Sequence, residues 1–207
     1  FTVSGINVSG DIIIEIVNIT SKQVIIDDIS WTGYSPPTTT VPDDNFEAYL
    51  ETHDASGNVV SVGDANSMGD GIANNNLITT ANITGVTNLN VSNQNIADLT
   101  GIEDFTALTY LDCYGNQLTS LDVSQNTALT WLLCYNNQLT SLDVSNNTAL
   151  AYLYCSDNQL TSLDLINNTA LTELYCWGNQ LTSLDVSQNT ALIFLTCGNN
   201  QLTNLDV

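Results

Sequence analysis

"CYGNQLTSLDVSQNTALTWLLCYNNQLTSLDVSNNTAL", from Cys113 to Leu150, states nearly the same phrase twice. The phrase recurs along the chain. Leu108, Leu129, Leu150, Leu171 and Leu192 stand 21 residues apart, and each opens a unit that reads L-x-x-L-x-C-x-x-N-Q-L-T-x-L-D. A fixed period of this length marks a solenoid, in which every unit buries its apolar face only against its neighbours. Residues three to seven of each unit are expected to form a short strand. Side chains alternate along a strand, so Leu at position four and Cys at position six point inward, and positions three, five and seven point outward. Successive coils then stack at about 4.8 Å, the strand spacing.

An earlier unit of 22 residues runs from Val86 to Ala107, "VTNLNVSNQNIADLTGIEDFTA". The pattern resembles the leucine-rich repeat, L-x-x-L-x-L-x-x-N-x-L, with Cys in place of the third leucine. The Val86 unit resembles the internalin type of that family, departing from it at Gln94, where the other units have Asn. The resemblance covers 86–207, about six coils with the last one incomplete. It implies a mainly β solenoid with short parallel strands and an N-terminal capping helix. It also implies that the amides of Asn116, Asn137, Asn158, Asn179 and Asn200 satisfy buried backbone groups where the chain leaves each strand.

The rest of the chain divides by composition. Residues 1–34 alternate as strands and read as the closing strands of a partial β-sandwich. The ending "IDDISWTGY" resembles the tails of sandwich modules in secreted, Bacteroidetes-type proteins, some of which use type IX secretion. "SPPTTT" and Val41 (35–41) read as a stiff linker. Residues 42–85 form the cap: a helix in "VPDDNFEAYLE" with Asp44 as N-cap and Glu47 as its capping-box partner, then a long loop. Phe46, Tyr49 and Leu50 share one helix face and are placed to cover the first coil. The loop, 54–79, is rich in Asn, Asp and Gly.

Composition excludes several classes of function. The chain carries one Lys or Arg (Lys22) against 22 Asp and Glu, a formal net charge of −21. Nucleic acid and anionic lipid are poor partners for such a surface, because phosphate binding rests on Lys and Arg. No run of about 18 apolar residues offers a membrane span. Catalysis has no support: the single histidine is His53, and no G-x-S-x-G, Walker loop or H-E-x-x-H occurs.

The inward cysteines, Cys113, Cys134, Cys155, Cys176 and Cys197, invite a metal or disulfide reading. A straight ladder spaced at about 4.8 Å fits neither, since a disulfide needs Cβ atoms about 3.8 Å apart and a zinc site needs convergence. Cys serves here as a small buried hydrophobe. The Asp ladder, Asp122, Asp143, Asp164, Asp185 and Asp206, places carboxylates roughly 5 Å apart, at a cost of about 0.8 kcal/mol per pair in water. Either a local Asx turn, as in Asp122-Val-Ser124, caps backbone N–H groups, or cations bridge the coils; the turn is the preferred reading. No cofactor is called for. Asp54, Asn58, Asp64, Asn66 and Asp70 supply hard oxygen ligands with glycines between them, so the loop is either a calcium site or a plain insertion.

The outward positions vary, and they are aromatic. Tyr110, Trp131, Tyr152, Glu173 and Phe194 occupy position three. Asp112, Leu133, Tyr154, Tyr175 and Thr196 occupy position five, and Tyr114, Tyr135, Ser156, Trp177 and Gly198 occupy position seven. Nine of these fifteen are aromatic, out of fifteen aromatics in the whole chain. Such a patch marks a binding surface, and its rings can also stack along the ladder. The reading is a non-catalytic recognition or adhesion module of a secreted or outer-cell-surface bacterial protein. It binds a protein partner through this face, or alternatively a glycan. It can equally be the accessory C-terminal region of a secreted enzyme. The fifth Cys-bearing coil stops at Val207 with apolar edges, so the solenoid is expected to continue or to pair with a second copy.

Overall fold

A computed structural model describes residues 36–207; the strand-like segment 1–34 lies outside the described residues. Six three-residue strands form one parallel sheet: β3 (Asn88–Asn90), β4 (Tyr110–Asp112), β5 (Trp131–Leu133), β6 (Tyr152–Tyr154), β7 (Glu173–Tyr175) and β9 (Phe194–Thr196). The register follows the repeat without slippage, so Tyr110, Trp131, Tyr152, Glu173 and Phe194 pair in sequence. The strands are shorter than expected and end at position five. Hydrogen bonding between coils nevertheless continues past them: Cys113 N–H donates to Leu133 O at 2.9 Å, and Gly115 N–H to Tyr135 O at 3.1 Å. On another side of the solenoid, β8 (Ser183–Asp185) pairs in parallel with β10 (Asn204–Asp206).

The chain turns away at position eight, where Gly115, Asn136, Asp157, Gly178 and Asn199 all have left-handed backbones with φ between 50° and 68°. Only Gly, Asn and Asp adopt this conformation cheaply, which explains the composition at that position. At Gly178 a Cβ would also lie 2.5 Å from Asp157 Oδ1, so a larger residue there would displace that carboxylate.

The asparagine at position nine then ties two coils together. Asn137 Nδ2 donates to Cys113 O of the preceding coil (3.0 Å) and to Cys134 O of its own (3.1 Å). Its Oδ1 accepts from Leu118 N–H at 3.0 Å. Asn158, Asn179 and Asn200 repeat these contacts one, two and three coils on. A second row, at position nineteen, is also interior. Asn126, Asn147, Asn168 and Asn189 are buried, and Asn147 Nδ2, for example, donates to Val123 O and Asn126 O. Position nineteen thus belongs to the core.

The inner wall is continuous. Leu111, Leu132, Leu153 and Leu174 are fully buried, as are Cys113, Cys134, Cys155 and Cys176, with Cys197 partly covered; all five cysteines are free thiols. Burial pushes the thiols of Cys113, Cys134 and Cys155 well above their ordinary range and that of Cys176 up to about 12.

The cap differs from expectation in two places. Helix α1 (Asp44–Thr52) is capped by Asp43, not Asp44: the Asp43 carboxylate accepts from the N–H groups of Asn45 and Phe46. Asp43 follows Pro42 and has the extended backbone that an N-cap needs. Its second oxygen accepts from Ala97 and Asp98 N–H, which docks the helix on the first coil. Glu47 closes no capping box. It is buried and accepts from Asn75 and Asn76 N–H. The linker reading of 35–41 also gives way. Thr38–Thr40 form β1, antiparallel to β2 (Leu77–Thr79), because the β-branched Thr39 is buried with its hydroxyl against Asp104 and Thr80. A short helix α2 (Thr80–Ile83) follows. Phe46 and Leu50 are fully buried, with the Phe46 ring 6.3 Å from Phe105, so the expected apolar face does close the first coil.

Asn137→Ala should destabilise the unit by about 1–3 kcal/mol, since it leaves the buried Leu118 N–H without a partner and the Cys113 and Cys134 carbonyls with one amide each in place of two; chemical denaturation measures this, with exposed Asn136→Gly as a near-neutral control. In native-state labelling with a thiol reagent, Cys113, Cys134 and Cys155 should stay unmodified until unfolding and Cys197 should react first, because only accessible thiolate is nucleophilic. Peptide mapping of the labelled protein reads out the order.

Candidate functional site

The outward positions of the sheet assemble as three columns. In the first, Trp131 and Tyr152 stack at 3.6 Å between ring centroids, and Tyr110 leans on Trp131 at 6.2 Å. In the second, Tyr154 packs on Tyr175 at 4.3 Å, and Tyr175 stacks across on Phe194 of the first column at 4.9 Å. In the third, Tyr114 and Tyr135 stack with centroids 4.6 Å apart and planes 2° from parallel. The parallel register is the cause: residues 21 apart are held one strand spacing from each other, close to the distance at which rings stack. Most of the rings are therefore half-buried by one another. Trp177 (39%) and Phe194 (45%) are the most exposed of the nine.

One expected ligand contact is not free surface. Asp112 is only 6% exposed. Its carboxylate accepts from Tyr114 N–H at 3.2 Å, and the Tyr110 phenol stands beside it. Burial raises its pKa above the usual carboxylate range, and these two neighbours partly offset the rise. Ser156 is buried, with a hydroxyl that has no protein partner. Glu173 is half-covered and accepts from the Tyr154 hydroxyl at 2.8 Å. Burial first, then this carboxylate, push the Tyr154 phenol well above its ordinary range. Leu133 lies half-buried between the outer columns.

The face also begins one coil earlier than expected. β3 adds Asn88 and Asn90 in register with Tyr110 and Asp112. Beyond them a polar hollow is lined by Tyr49, His53, Asp54, Asn88, Asn90 and Gln94, with the His53 ring flat against Tyr49 at 3.9 Å. Nothing in the 21-residue pattern points to this hollow, because its walls come from the cap.

The five loop residues read as calcium ligands do not gather. Asp54 accepts from Ser56 and Asn58 N–H and from the Asn58 amide, Asp64 from Asn66, and Asp70 from Ile72 N–H and the Asn75 amide. Each carboxylate closes its own turn. Among the described residues, no three Asp, Glu, His or Cys side chains are grouped to hold a metal ion. The loop is instead tied to α1. Glu51 is fully buried and accepts from Asp70 and Gly71 N–H, and a Cβ at Gly69 would meet Glu51 Oε1.

The Asp ladder resolves as local turns. Asp122, Asp143 and Asp185 each accept from the N–H of the serine two residues on, and Asp164 from Ile166 N–H, at 2.9–3.0 Å. Hydrogen bonds to Ser124, Ser145 and Ser187 hold the first three below the ordinary carboxylate range.

Residues 77–189 match the family model described as the Endo-beta-N-acetylglucosaminidase EndoS LRR domain. Internalin J of Listeria monocytogenes serotype 4b (strain F2365) is 54% identical over 41 residues, 20% of this chain and 4% of that protein. Among solved structures, the functional domain of InlJ from Listeria monocytogenes, described as including a cysteine ladder, is 40% identical with a TM-score of 0.70. That match covers 85% of this chain and 37% of the other. A leucine-rich repeat protein of Leptospira interrogans is 25% identical with a TM-score of 0.48, covering 59% of this chain and 37% of the other. The chain thus spans a minor part of the length of these relatives. Among the described residues, no helix is long and apolar enough to cross a membrane.

Asp112→Asn should stabilise the protein at neutral pH. A carboxyl with a raised native pKa binds more protons folded than unfolded, so its stabilising contribution is present at low pH and lost as pH rises. The gain in thermal midpoint over wild type should therefore shrink on acidification and vanish below the unfolded carboxylate range near pH 4; thermal melts from pH 3 to 7 check it.

Proposed function

The chain belongs to the leucine-rich repeat family, and on that premise we propose that it is a non-catalytic recognition module of a secreted or cell-surface bacterial protein. It binds a protein partner through the face built by β4, β5, β6, β7 and β9. The observation that carries this reading is the concentration of nine aromatic side chains on one face of one sheet. Stacking accounts for part of it, at about 0.2–1 kcal/mol per cross-strand pair. Stacking does not require Trp177 and Phe194 to keep a large exposed area, and Tyr, Trp and Phe are the side chains that protein interfaces favour. The face is a broad open surface rather than an enclosed cavity, which suits a macromolecule.

A second reading has its own support. The matching family model is described by a domain of an endo-β-N-acetylglucosaminidase, so this unit can serve as the accessory region of a secreted enzyme, with the same aromatic face stacking on sugar rings.

Replacing Trp131, Tyr152 and Tyr154 together with Ala should abolish capture of surface proteins on an array while circular dichroism stays that of the native solenoid. A glycan array run in parallel separates the two readings. Protein capture that survives the triple substitution would place recognition elsewhere; glycan capture lost with it would favour the second reading.

A further inference from the structure

The polar hollow between the cap and β3 encloses about 370 Å³, within the size range of small-ligand sites. Among the described residues, several of the side chains that line it are held at one end and unspent at the other. Ser92 anchors two of them through its backbone. Its N–H donates to Asn90 Oδ1 at 3.0 Å, which leaves Asn90 Nδ2 as a free donor. Its carbonyl accepts from Gln94 Nε2 at 3.1 Å, which leaves Gln94 Oε1 as a free acceptor. His53 lies flat on Tyr49, with 3.9 Å between ring centroids, and its Nδ1 stands 2.9 Å from Tyr49 O. A carbonyl only accepts, so Nδ1 carries the proton and Nε2 of the neutral ring is an acceptor. The Tyr49 ring is almost wholly buried. Burial, and then the charge of Asp54, raise its phenol above the ordinary range, which keeps the hydroxyl a donor.

We infer that the hollow binds a neutral sugar unit, a pyranose ring whose hydroxyl groups pair with these unspent donors and acceptors. The lining excludes other classes of ligand. Residues 36–207 contain no Lys or Arg, so an anion finds no counter-charge there. A metal ion finds one lining carboxylate, Asp54, already spent on Ser56 and Asn58. An apolar side chain finds little apolar wall, because Leu89 and Met68 are buried. A sugar hydroxyl both donates and accepts, and Asn90, Tyr49, Gln94 and His53 supply both functions in one place. Anchoring matters as much as inventory, since side chains fixed before the ligand arrives lose little rotamer freedom on binding. The pairing of β3 with β4 puts Asn88 and Asn90 beside Tyr110 and Asp112, so the hollow lies at the first-coil end of the strand face. It is a separate site, and it does not depend on what the aromatic columns bind.

The test uses the whole chain and two sets of probes: an array of neutral oligosaccharides, and the methyl glycosides of glucose, galactose, mannose and N-acetylglucosamine followed by NMR. At least one neutral glycan should be captured, and at least one glycoside should shift the side-chain amide signals of Asn90 and Gln94. Asn90→Asp is the sharpest variant. It keeps the oxygen that Ser92 N–H anchors and removes only the free donor, so it should weaken capture by at least about fivefold. Gln125→Glu adds the same charge on the side of the Asp ladder and should change capture by less than about twofold. Both positions are exposed, so circular dichroism of each variant should stay native. Capture of no neutral glycan, or equal capture by Asn90→Asp and the unaltered chain, would overturn the proposal. Glycan capture that is lost with the Trp131, Tyr152 and Tyr154 triple substitution but kept in Asn90→Asp would overturn it in favour of sugar on the aromatic columns. Protein capture lost in Asn90→Asp, with no glycan bound, would overturn it in favour of a protein contact at the hollow.

Discussion

Beyond the strand ladder, each coil is locked to the one before it by a buried asparagine amide. The asparagine at position nine donates to a carbonyl of its own coil and to one of the preceding coil, and it accepts an N–H from that preceding coil. Three buried backbone groups that the strand and turn leave unpaired are thereby satisfied, at a net gain of about 1 kcal/mol for each bond and at a larger penalty if any is orphaned. The geometry has a further consequence. An amide that must reach both coils permits only one register between them. Every other repeated feature, including the inner cysteine row and the outer aromatic columns, follows from that register. The left-handed residue at position eight belongs to the same device, since it aims the amide back into the stack.

The interior shows how narrow the remaining choices are. The carbonyls of Cys113, Cys134, Cys155 and Cys176 each accept from two of these amides. The side chain beside such a crowded backbone has to be small and apolar, and cysteine meets both demands while burial keeps its thiol protonated. The second asparagine row, at position nineteen, is less fully satisfied. Asn126, Asn147, Asn168 and Asn189 each donate two hydrogen bonds and leave Oδ1 unpaired. Two buried carbonyls gain a second hydrogen bond for every acceptor left bare, which favours keeping the amide over an apolar side chain that would leave each carbonyl with its backbone partner alone.

The sequence reveals the solenoid because each coil repeats the same physical problem and therefore the same solution. Period, strand placement, inward Leu and Cys, and outward aromatics could all be read from Leu108, Leu129, Leu150, Leu171 and Leu192. The cap was less legible because it occurs once. Asp43 and Asp44 are equally good N-caps as letters, and only the backbone of the docked helix chooses between them. Glu47 and Glu51 look like solvent-facing residues of a short helix, yet they hold the 70–76 loop by its N–H groups. On the face itself, alternation correctly put Asp112 on the outer side, but it could not show that the larger rings of Tyr110, Tyr114 and Tyr135 would close over it. Burial by neighbours is a property of side-chain size across coils, and a period-two rule carries no information about it.

The carboxylates of this acidic chain divide into two populations for the same reason. Those of the Asp ladder are exposed, and each is used by its own turn: Asp122, Asp143 and Asp185 accept from a nearby serine and stay ionised below the ordinary carboxylate range. Their mutual repulsion is offset by the turn hydrogen bonds, repeated coil by coil. The ladder holds the chain's turns and has little capacity left for a ligand. Asp112 is in the opposite condition. The aromatic columns that remove it from water raise the cost of its charge, and the described residues supply an N–H and a phenol but no Lys or Arg. The repeat thus holds its exposed carboxylates in local turns and buries one carboxylate at the first coil of the surface where its aromatic side chains are concentrated.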